Sequence, residues 1–431
     1  MSFSLFLLTS LLFIACASSV IGQAPSVTLT PPAAPTQLFT LTPVSNAGAP
    51  PAVEPGDAPL SADSGWTCND FPCQDDIPGL LKRIQVPPGF HVEHVGEFPG
   101  TPMQITYGPD GRLYATVLEN GTFSGAVYVM DQSGQTTRYS GTLISPLGLA
   151  FQPGTDVLYV SARVALDKGT GIWRIPRLST GVGGDPQPVV TDLPCCMRVI
   201  DNQANGIAFG DDGSLYVGVG SLTDTNVNPP HSASAWRTVD PHEAAILRIN
   251  PLTGEETVYA SGIRNPYDVT FDSNGQLYAT DNGLLTGEGG DRVLKVDQDA
   301  NYGWPYYREL GCADCQIKPA SVHVSPDLLD FKPFTLPRGI VAYTGSQFPS
   351  NMFNNLFVTL WAGGSDYGQR VIRIDPSKVG QDNYAPEAFV TGLIRPVDVT
   401  VAPDGSLVVV DYVYGHVWRI VYDQGVRTNN G

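Results

Sequence analysis

The stretch Val269-Thr270-Phe271-Asp272-Ser273-Asn274-Gly275-Gln276-Leu277-Tyr278 leads an apolar run through an Asn-Gly turn into a second apolar strand. The same strand–turn–strand pattern occurs six times along the chain, each time with a Gly- or Asn-containing turn. In four copies a Leu-Tyr or Leu-Val pair follows the turn at once. The six turns are Pro109-Asp110-Gly111, Pro153-Gly154-Thr155, Asp211-Asp212-Gly213, Ser273-Asn274-Gly275, Asn354-Asn355 and Pro403-Asp404-Gly405.

A third strand in each repeat carries a second motif, and this motif also occurs six times. Its copies are Gly125-Ala-Val-Tyr-Val-Met, Gly171-Ile-Trp-Arg-Ile-Pro, Ala245-Ile-Leu-Arg-Ile-Asn, Arg292-Val-Leu-Lys-Val-Asp, Arg370-Val-Ile-Arg-Ile-Asp and His416-Val-Trp-Arg-Ile-Val. One four-stranded sheet cannot bury both of its faces alone, so repeated sheets must stack around an axis. The two counts predict an all-β fold, a six-bladed β-propeller over residues 84–422. A first strand at 90–98 and a last strand at 416–421 are predicted to share a blade, which closes the ring and leaves no unpaired edge.

The composition limits the class of partner. The chain has 431 residues and a net charge of −18, and no basic run is present. Binding to nucleic acid depends on basic side chains that displace counterions from phosphates, so a nucleic-acid partner is excluded. Acidity is otherwise a common means of keeping exported proteins soluble.

The first residues predict export. Residues 3–17 are apolar but too short to remain as a membrane-spanning helix, so residues 1–22 are interpreted as a signal peptide. Leu12-Phe13-Ile14-Ala15-Cys16 resembles a site that leaves a lipidated cysteine, and cleavage after Ala17 or Gly22 is the alternative. Residues 23–62 are rich in Pro, Ala and Thr and predict a tether, followed by an extension over 63–83. The expected location is extracellular or at the cell surface, with membrane attachment only through a lipid.

Six further cysteines predict disulfide bonds, because their number is even in a chain that is expected to be exported. Close spacing favours Cys68–Cys73 and Cys312–Cys315, with Cys195–Cys196 as a vicinal pair. A zinc site at Cys312 and Cys315 is disfavoured, since no second pair stands at ligand spacing. Three stretches exceed ordinary loop length, 222–243, 284–291 and 303–337, and are interpreted either as binding loops or as lineage-specific decoration.

Residues that enter the innermost strands should line one mouth of the channel. Three of these six entry points carry an arginine, namely Arg264, Arg338 and Arg395. Guanidinium groups that converge repel one another, and an anion such as a carboxylate relieves this through paired N–H bonds. The alternative is that each guanidinium caps loop carbonyls or pairs with a local acid such as Asp268 or Asp398.

Four stretches resemble the soluble glucose/sorbosone dehydrogenase family, and the similarity extends over about residues 85–422. They are Ala244-Ala-Ile-Leu-Arg-Ile-Asn-Pro, Tyr259-Ala-Ser-Gly-Ile-Arg-Asn-Pro, Leu277-Tyr-Ala-Thr-Asp-Asn-Gly and Asn301-Tyr-Gly-Trp-Pro, and Arg395-Pro-Val-Asp-Val-Thr-Val-Ala-Pro-Asp-Gly looks like the family's last blade. The resemblance implies an exported six-bladed propeller that oxidises a sugar or polyol with pyrroloquinoline quinone (PQQ) and Ca²⁺, and passes electrons to an external acceptor.

The resemblance also implies roles for individual residues. Arg264 and Asn265 match a pair that contacts the quinone, and Arg395 matches an arginine that faces a cofactor carboxylate. The backbone carbonyls of Gly283 and Leu284 fall where the family holds calcium, a hard cation suited to oxygen ligands.

One segment departs from the family pattern. Asp201, Asn202 and Gln203 align with an Asp-His-Gln segment, in which the histidine is the general base and Gln203 is expected beside the cofactor. Asn202 cannot accept a proton at neutral pH, and loss of a positioned base costs ~10²–10⁴-fold in rate. A replacement base could come from His231 or His242. The family's cofactor lysine also lacks a counterpart, because Leu360-Trp361-Ala362 occupies that strand.

The sequence therefore predicts two alternative functions. The first is an exported quinoprotein-type sugar or polyol dehydrogenase, with Asp201 and Asn202 at its catalytic position. The second is a catalytically weakened propeller that binds a carbohydrate or another small ligand at the same mouth, since propellers host many functions. A metal-dependent lactonase or esterase ranks last, because the expected axial cluster of Asp, Glu and Asn is missing.

Overall fold

A computed structural model describes the chain over 73–119, 123–166, 168–195, 202–222, 240–283, 290–304, 323–331, 335–361 and 369–423. All of these residues fall within one compact unit. The predicted signal peptide with Cys16, the tether at 23–62 and residues 63–72 of the predicted 63–83 extension lie outside the described residues. No helix in the described ranges has the length and apolar character needed to cross a membrane.

The described elements are strands with very little helix. Helix α1 is Ile77–Arg83, and a short 3-10 helix spans Ser350–Met352. The strands are β1 (Phe90–Glu97), β2 (Thr101–Tyr107), β3 (Leu113–Leu118), β4 (Ser124–Met130), β5 (Thr136–Arg138), β6 (Leu143–Ile144), β7 (Leu149–Phe151), β8 (Leu158–Ala165), β9 (Lys168–Ile175), β10 (Gln187–Leu193), β11 (Ala204–Phe209), β12 (Leu215–Val219), β13 (Ala245–Ile249), β14 (Glu256–Ser261), β15 (Pro266–Phe271), β16 (Leu277–Asp281), β17 (Arg292–Val296), β18 (Leu329–Asp330), β19 (Pro337–Ala342), β20 (Leu356–Leu360), β21 (Arg370–Ile374), β22 (Glu387–Val390), β23 (Pro396–Val401), β24 (Leu407–Asp411) and β25 (His416–Tyr422).

The strands form antiparallel meanders. Three sheets of four strands run β11-β12-β13-β14, β15-β16-β17-β18 and β19-β20-β21-β22. A nine-stranded sheet runs β10-β9-β8-β6-β4-β3-β2, with β5 on β4 and β7 on β8. The remaining sheet, β1-β25-β24-β23, joins the two ends of the propeller, with Phe90 opposite Tyr422. The predicted pairing of the first and last strands is therefore confirmed.

The first strands of the meanders stand around one axis. Strands β2, β7, β11, β15, β19 and β23 contact one another in a closed ring. The all-β propeller is confirmed. The count of six blades stays a prediction, because β6 joins the first two meanders into a single sheet and the described residues form five sheets.

The repeated tyrosine after the turn packs against an aromatic ring of the next meander and so holds neighbouring meanders together. Tyr216 meets Phe271 of the next meander edge-to-face, with ring centroids 5.0 Å apart. The same arrangement recurs in Tyr114–Phe151 at 4.9 Å and Tyr159–Phe209 at 5.3 Å. Such pairs contribute about 0.5–1.5 kcal/mol beyond the area they bury. The core therefore lies between adjacent sheets, as stacking around an axis requires.

Two of the six predicted disulfide cysteines lie in the described ranges, Cys73 and Cys195. Neither is a free thiol. The other four lie outside the described residues, so the pairing stays a prediction.

Candidate functional site

A cavity of about 340 Å³ opens where the first strands begin. Its walls include Asn202, Arg264, Asn265 and the backbone at Gly283, all of which the sequence predicts as site residues. The structure therefore brings these four together. Asp201 and Leu284 lie outside the described residues.

A β-bulge near the start of five of the six first strands directs side chains into this cavity. The pairing of β15 with β16 shifts between Pro266 and Asp268, and Tyr267 lies inside this bulge. The same shift occurs in β2, β11, β19 and β23. Bulges re-aim side chains in this way. Residues in four of the five bulges line the cavity, namely Met103, Asn205, Tyr267 and Arg338.

Arg264 is buried and holds the loop after β16. Its Nη1 donates hydrogen bonds to the carbonyl oxygens of Asn282 at 3.1 Å and of Gly283 at 2.8 Å. Its guanidinium also lies 5.8 Å from the centre of the Trp304 ring. Arg264 thus caps loop carbonyls, as the alternative interpretation of the arginines states, while still lining the cavity.

Asn265 is positioned by a buried ion pair. Its backbone N–H donates to Asp281 Oδ1 at 2.8 Å, and its side-chain oxygen accepts from Asn205 Nδ2 at 2.8 Å. Arg292 donates to Asp281 Oδ2 at 2.5 Å and to Asp327 Oδ1 at 2.8 Å. Burial alone would lower the pKa of Arg292, but the two carboxylates raise it above its ordinary value. The arginine therefore stays charged and holds Asp281 in place.

Asn202 sits in a tight, buried corner of the cavity. Its φ is 56°, a left-handed conformation that asparagine tolerates better than most residues. Its Nδ2 donates to the carbonyl oxygen of Ser221 at 2.8 Å. A Cβ on Gly220 would lie 2.4 Å from the Asn202 Cα, so glycine is required there. Asn202 is thus fixed at the cavity wall without a titratable group.

Gln203 is not among the described residues that line the cavity. Its Oε1 accepts from Arg163 Nε at 2.8 Å, and its Nε2 donates to the carbonyl oxygen of Ser145 at 2.9 Å. The side chain is fully buried. This placement differs from the predicted cofactor contact, because the amide is used to join neighbouring sheets.

Arg395 is not among the described residues that line the cavity, but it contacts the same tryptophan ring as Arg338, which does. Its Cζ lies 4.4 Å from the centre of the Trp361 ring, and the Cζ of Arg338 lies 4.4 Å from the same centre. Arg338 also donates from Nη1 to the Tyr267 hydroxyl at 3.1 Å. The negative face of an indole ring stabilises such cations. The ring thus holds two of the three predicted arginines together, although only Arg338 of these two lines the cavity.

Two buried atoms of the wall lack hydrogen-bond partners. They are the acceptor Asn282 Oδ1 and the donor Arg338 Nε. A buried polar atom without a partner costs free energy, so each favours a ligand that supplies the missing partner. A carboxylate group suits Arg338, and a cation or a donor suits Asn282. This donor set fits an anionic cofactor bound with a hard cation. Asn282 was not among the predicted residues, although its place between Asp281 and Gly283 could have indicated it.

No histidine or carboxylate occurs among the described residues that line the cavity. His242, one proposed replacement base, is not part of the wall, and its Nδ1 lies 3.7 Å from Asp240 Oδ1. His231 lies outside the described residues. The described ranges also contain no cluster of three or more His, Cys, Asp or Glu side chains that could hold a metal.

Known proteins resemble the chain at the level of the fold. An aldose sugar dehydrogenase of Streptomyces coelicolor in its PQQ-bound form aligns over 78% of this chain and 99% of that one, with 20% identity and a TM-score of 0.56. A soluble aldose sugar dehydrogenase of Escherichia coli aligns over 77% of this chain and 99% of its own, with 17% identity and a TM-score of 0.58.

A relative of unassigned activity is similar over a comparable length. An uncharacterised protein of Borreliella burgdorferi is 22% identical over 378 residues, which cover 80% of this chain and 92% of the relative. The sequence model of the family described as glucose/sorbosone dehydrogenase matches residues 197–419, more than half of the chain. That match includes the Arg264-Asn265 pair and the loop at Gly283, and the chain belongs to the glucose/sorbosone dehydrogenase family.

Proposed function

We propose that the protein oxidises a C–OH group of a sugar or polyol, with PQQ and Ca²⁺ bound in the cavity described above. The observation that carries this proposal is the convergence of Arg264, Asn265 and Arg338 on one cavity whose wall contains a buried donor and a buried acceptor without partners. Membership of the family supports the same chemistry.

The residues of the wall have distinct roles in this proposal. Arg338 and Arg264 bind carboxylate groups, since guanidinium groups match them geometrically. Asn265 orients the ligand, because Asp281 fixes its backbone and Asn205 fixes its side chain. The carbonyl of Gly283 and the Asn282 side chain would hold Ca²⁺ through oxygen atoms. PQQ, when bound, supplies the acceptor for the hydride that leaves the substrate carbon.

The substrate loses one hydride and one hydroxyl proton, so its C–OH becomes C=O. The two electrons leave the protein through an external acceptor. The proton requires a base, and Asn202 cannot serve because its amide has no basic lone pair at neutral pH. Since the described residues of the wall include no histidine or carboxylate, we expect the proton to pass to water and the oxidation to be slow.

The absence of a base among the described residues of the wall favours a second candidate function. A propeller with the same anion-binding wall could bind a carbohydrate or another small ligand without oxidising it. Both functions use the same cavity, and they differ in whether turnover follows binding. We further propose that the protein acts outside the cell or at its surface, on the basis of its apolar first residues.

Titration of the purified protein with PQQ in the presence of Ca²⁺ tests the dehydrogenase. We expect the absorbance of a bound cofactor, followed by slow dye reduction with aldoses or polyols. Arg338→Gln should weaken cofactor binding. Arg174→Gln, which changes an arginine that donates to Gln187 on the surface, should not. Cofactor binding without any turnover would favour the ligand-binding propeller, and no cofactor binding at all would refute the dehydrogenase.

A further inference from the structure

The first strands share one more feature. It concerns the residue directly after the one at the position of Tyr267, whose side chain lines the cavity. Each strand start has the pattern Pro-x-x or Ala-x-x, and the third residue is a glycine or carries a carboxyl or amide group. The six residues at this position are Gln104, Gly148, Gly206, Asp268, Gly339 and Asp398. We call them the axial ring, because their strands contact one another around the axis.

The carboxylate of Asp268 reaches across neighbouring strands of the axial ring. Its Oδ2 accepts from the backbone N–H of Ile340 at 2.9 Å, in the strand that follows around the axis. A Cβ on Gly206, in the strand that precedes, would lie 2.2 Å from its Oδ1. Glycine therefore leaves the space that this carboxylate occupies.

Asp398 repeats this geometry two strands further on. Its Oδ2 accepts from the backbone N–H of Ile105 at 2.6 Å. A Cβ on Gly339 would lie 2.1 Å from its Oδ1. Two buried carboxylates are thus held in equivalent orientations, each between a glycine of the preceding strand and a backbone N–H of the following one. The N–H groups of Val269 and Val399 also interact with Asp268 and Asp398 and lower their pKa values.

Two atoms of the axial ring lack partners. Asp398 Oδ1 and Gln104 Nε2 are buried and have no partner in good hydrogen-bond geometry, and their residues are 3% and 4% exposed. Gln104 still lies close enough to Asp268 to lower the pKa of that carboxyl group. The Cβ position on Gly206 lies 2.9 Å from Gln104 Nε2 and 2.2 Å from Asp268 Oδ1, so the amide and the carboxylate face the same small space. The oxygen and nitrogen of a glutamine amide can exchange places by a flip, which would turn an oxygen toward that space.

The two carboxyl groups meet at the start of one strand, because Asp268 contacts the N–H of Ile340 and Asp398 lies against the adjacent Gly339. Burial raises the pKa of Asp268 to about 7. Burial also raises the pKa of Asp398 well above its ordinary value, and the nearby Asp268 raises it further. Without a counter-charge the pair therefore holds a proton near neutral pH, and a divalent cation would displace that proton.

We propose that the axial ring binds a divalent cation between Asp268 and Asp398, at a site separate from the cofactor cavity. Two carboxylates balance the charge of one divalent cation, and carboxylate, amide and water oxygens are the ligands that Ca²⁺ accepts. The ring lies one residue beyond Tyr267 and Arg338, which face the cavity. The cation would tie together the first strands that position the cavity wall.

Calcium binding in the absence of any quinone tests this site. Chelator-treated protein is titrated with CaCl₂ while its melting temperature and its bound calcium per chain are measured. Wild type should gain thermal stability with Ca²⁺, and Asp268→Asn and Asp398→Asn should each bind one Ca²⁺ fewer and lose most of that gain. Equal calcium content in wild type and in both variants would overturn the proposal.

Asp411→Asn is the matched control. Asp411 is also a buried carboxylate whose pKa burial raises to about 7, but its oxygens accept from the N–H groups of Val413, Tyr414 and His416. This variant should keep the calcium response of the wild type. If the ring variants do not fold, a wild-type crystal soaked in Tb³⁺ decides. An anomalous peak between the Asp268 and Asp398 carboxylates supports the site, and no peak there refutes it.

Discussion

Arg264 Nη1 donates a hydrogen bond to the carbonyl oxygen of Gly283 over 2.8 Å, so the atom predicted to bind calcium already faces a cation. A carbonyl oxygen has two lone pairs and can serve both partners. The arginine therefore holds the loop at Gly283 in place and also lines the cavity. We expect binding of the proposed anion and of the proposed cation to be coupled through this one side chain.

Arg264→Ala should weaken PQQ binding by about 1.5–3 kcal/mol, the scale of a hydrogen bond to a charged group. The measurement is a quinone titration at fixed Ca²⁺. Arg248→Ala removes an arginine that pairs with Asp212 on the surface, and it should leave the affinity unchanged. An unchanged affinity in Arg264→Ala itself would contradict the role.

Asn202→His should raise the rate of sugar oxidation by ~10²–10⁴-fold if the rest of the site is intact. The left-handed φ of 56° at this position suits histidine as well as asparagine, so the backbone need not move. Dye reduction across pH gives the readout, because a restored base adds a dependence on a group that titrates near neutrality. Asn202→Gln is the control and should gain nothing. Brisk turnover of the unaltered protein would show that another group serves as base.

The fold was predictable because its determinants are local. The Asn-Gly turn at Gly275 and the tyrosine that meets the next meander repeat at a readable spacing, and Arg264-Asn265 forms a contiguous motif. The contacts of Gln203 were not predictable, because its hydrogen bonds go to Arg163 and Ser145 in another sheet. The alternation of a strand indicates two faces but not a bulge, so the inward position of Tyr267 could not be derived from spacing.

Trp361→Ala should lower both stability and quinone affinity. The Cζ atoms of Arg338 and Arg395 each lie 4.4 Å from this ring, and each cation–π contact is worth ~0.5–2 kcal/mol. Without the ring the two guanidinium groups repel each other and move. Trp361→Phe keeps an aromatic face and removes Nε1, a buried donor without a partner, so it should stay close to wild type. Urea unfolding and quinone titration measure the two effects, and equal values for Ala and Phe would contradict the stacking role.

Arg292→Ala should destabilise the protein by ~3–5 kcal/mol, because it leaves the buried carboxylates of Asp281 and Asp327 without their counter-charge. The free energy of unfolding in urea measures this. Arg248→Ala breaks an exposed pair and should cost less than about 1 kcal/mol. A similar small cost for both variants would mean that the buried network does not hold the site.

Two histidines in the strands that close the propeller, His94 in β1 and His416 in β25, form a contact that extends to the segment before helix α1. His416 Nε2 lies 2.9 Å from the carbonyl oxygen of Gln74, so this nitrogen must carry the proton and donate it. His416 Nδ1 is then the acceptor for His94 Nε2 at 3.1 Å. A second proton on His416 would face the proton of His94, so this contact favours a neutral His416. The Glu97 carboxylate, 3.7 Å from Nδ1, acts in the opposite direction, but burial outweighs it. Burial lowers the pKa of both rings below the ordinary value of 6.5.

Stability should therefore fall as the pH drops below about 6.5. In that range the unfolded chain takes up protons that the folded pair resists, so the free energy of unfolding decreases with acidification. The buried carboxylates with raised pKa shift stability in the opposite direction, and comparison between variants cancels their contribution. The unfolding free energy of His416→Gln should depend less on pH between 7 and 5 than that of wild type. His91→Gln, a change at an exposed histidine beside Glu93 and Asp423, should retain the wild-type dependence. If the unfolding free energy of His416→Gln depended on pH as strongly as that of wild type, the contact between His94 and His416 would not control how the first and last strands close the propeller.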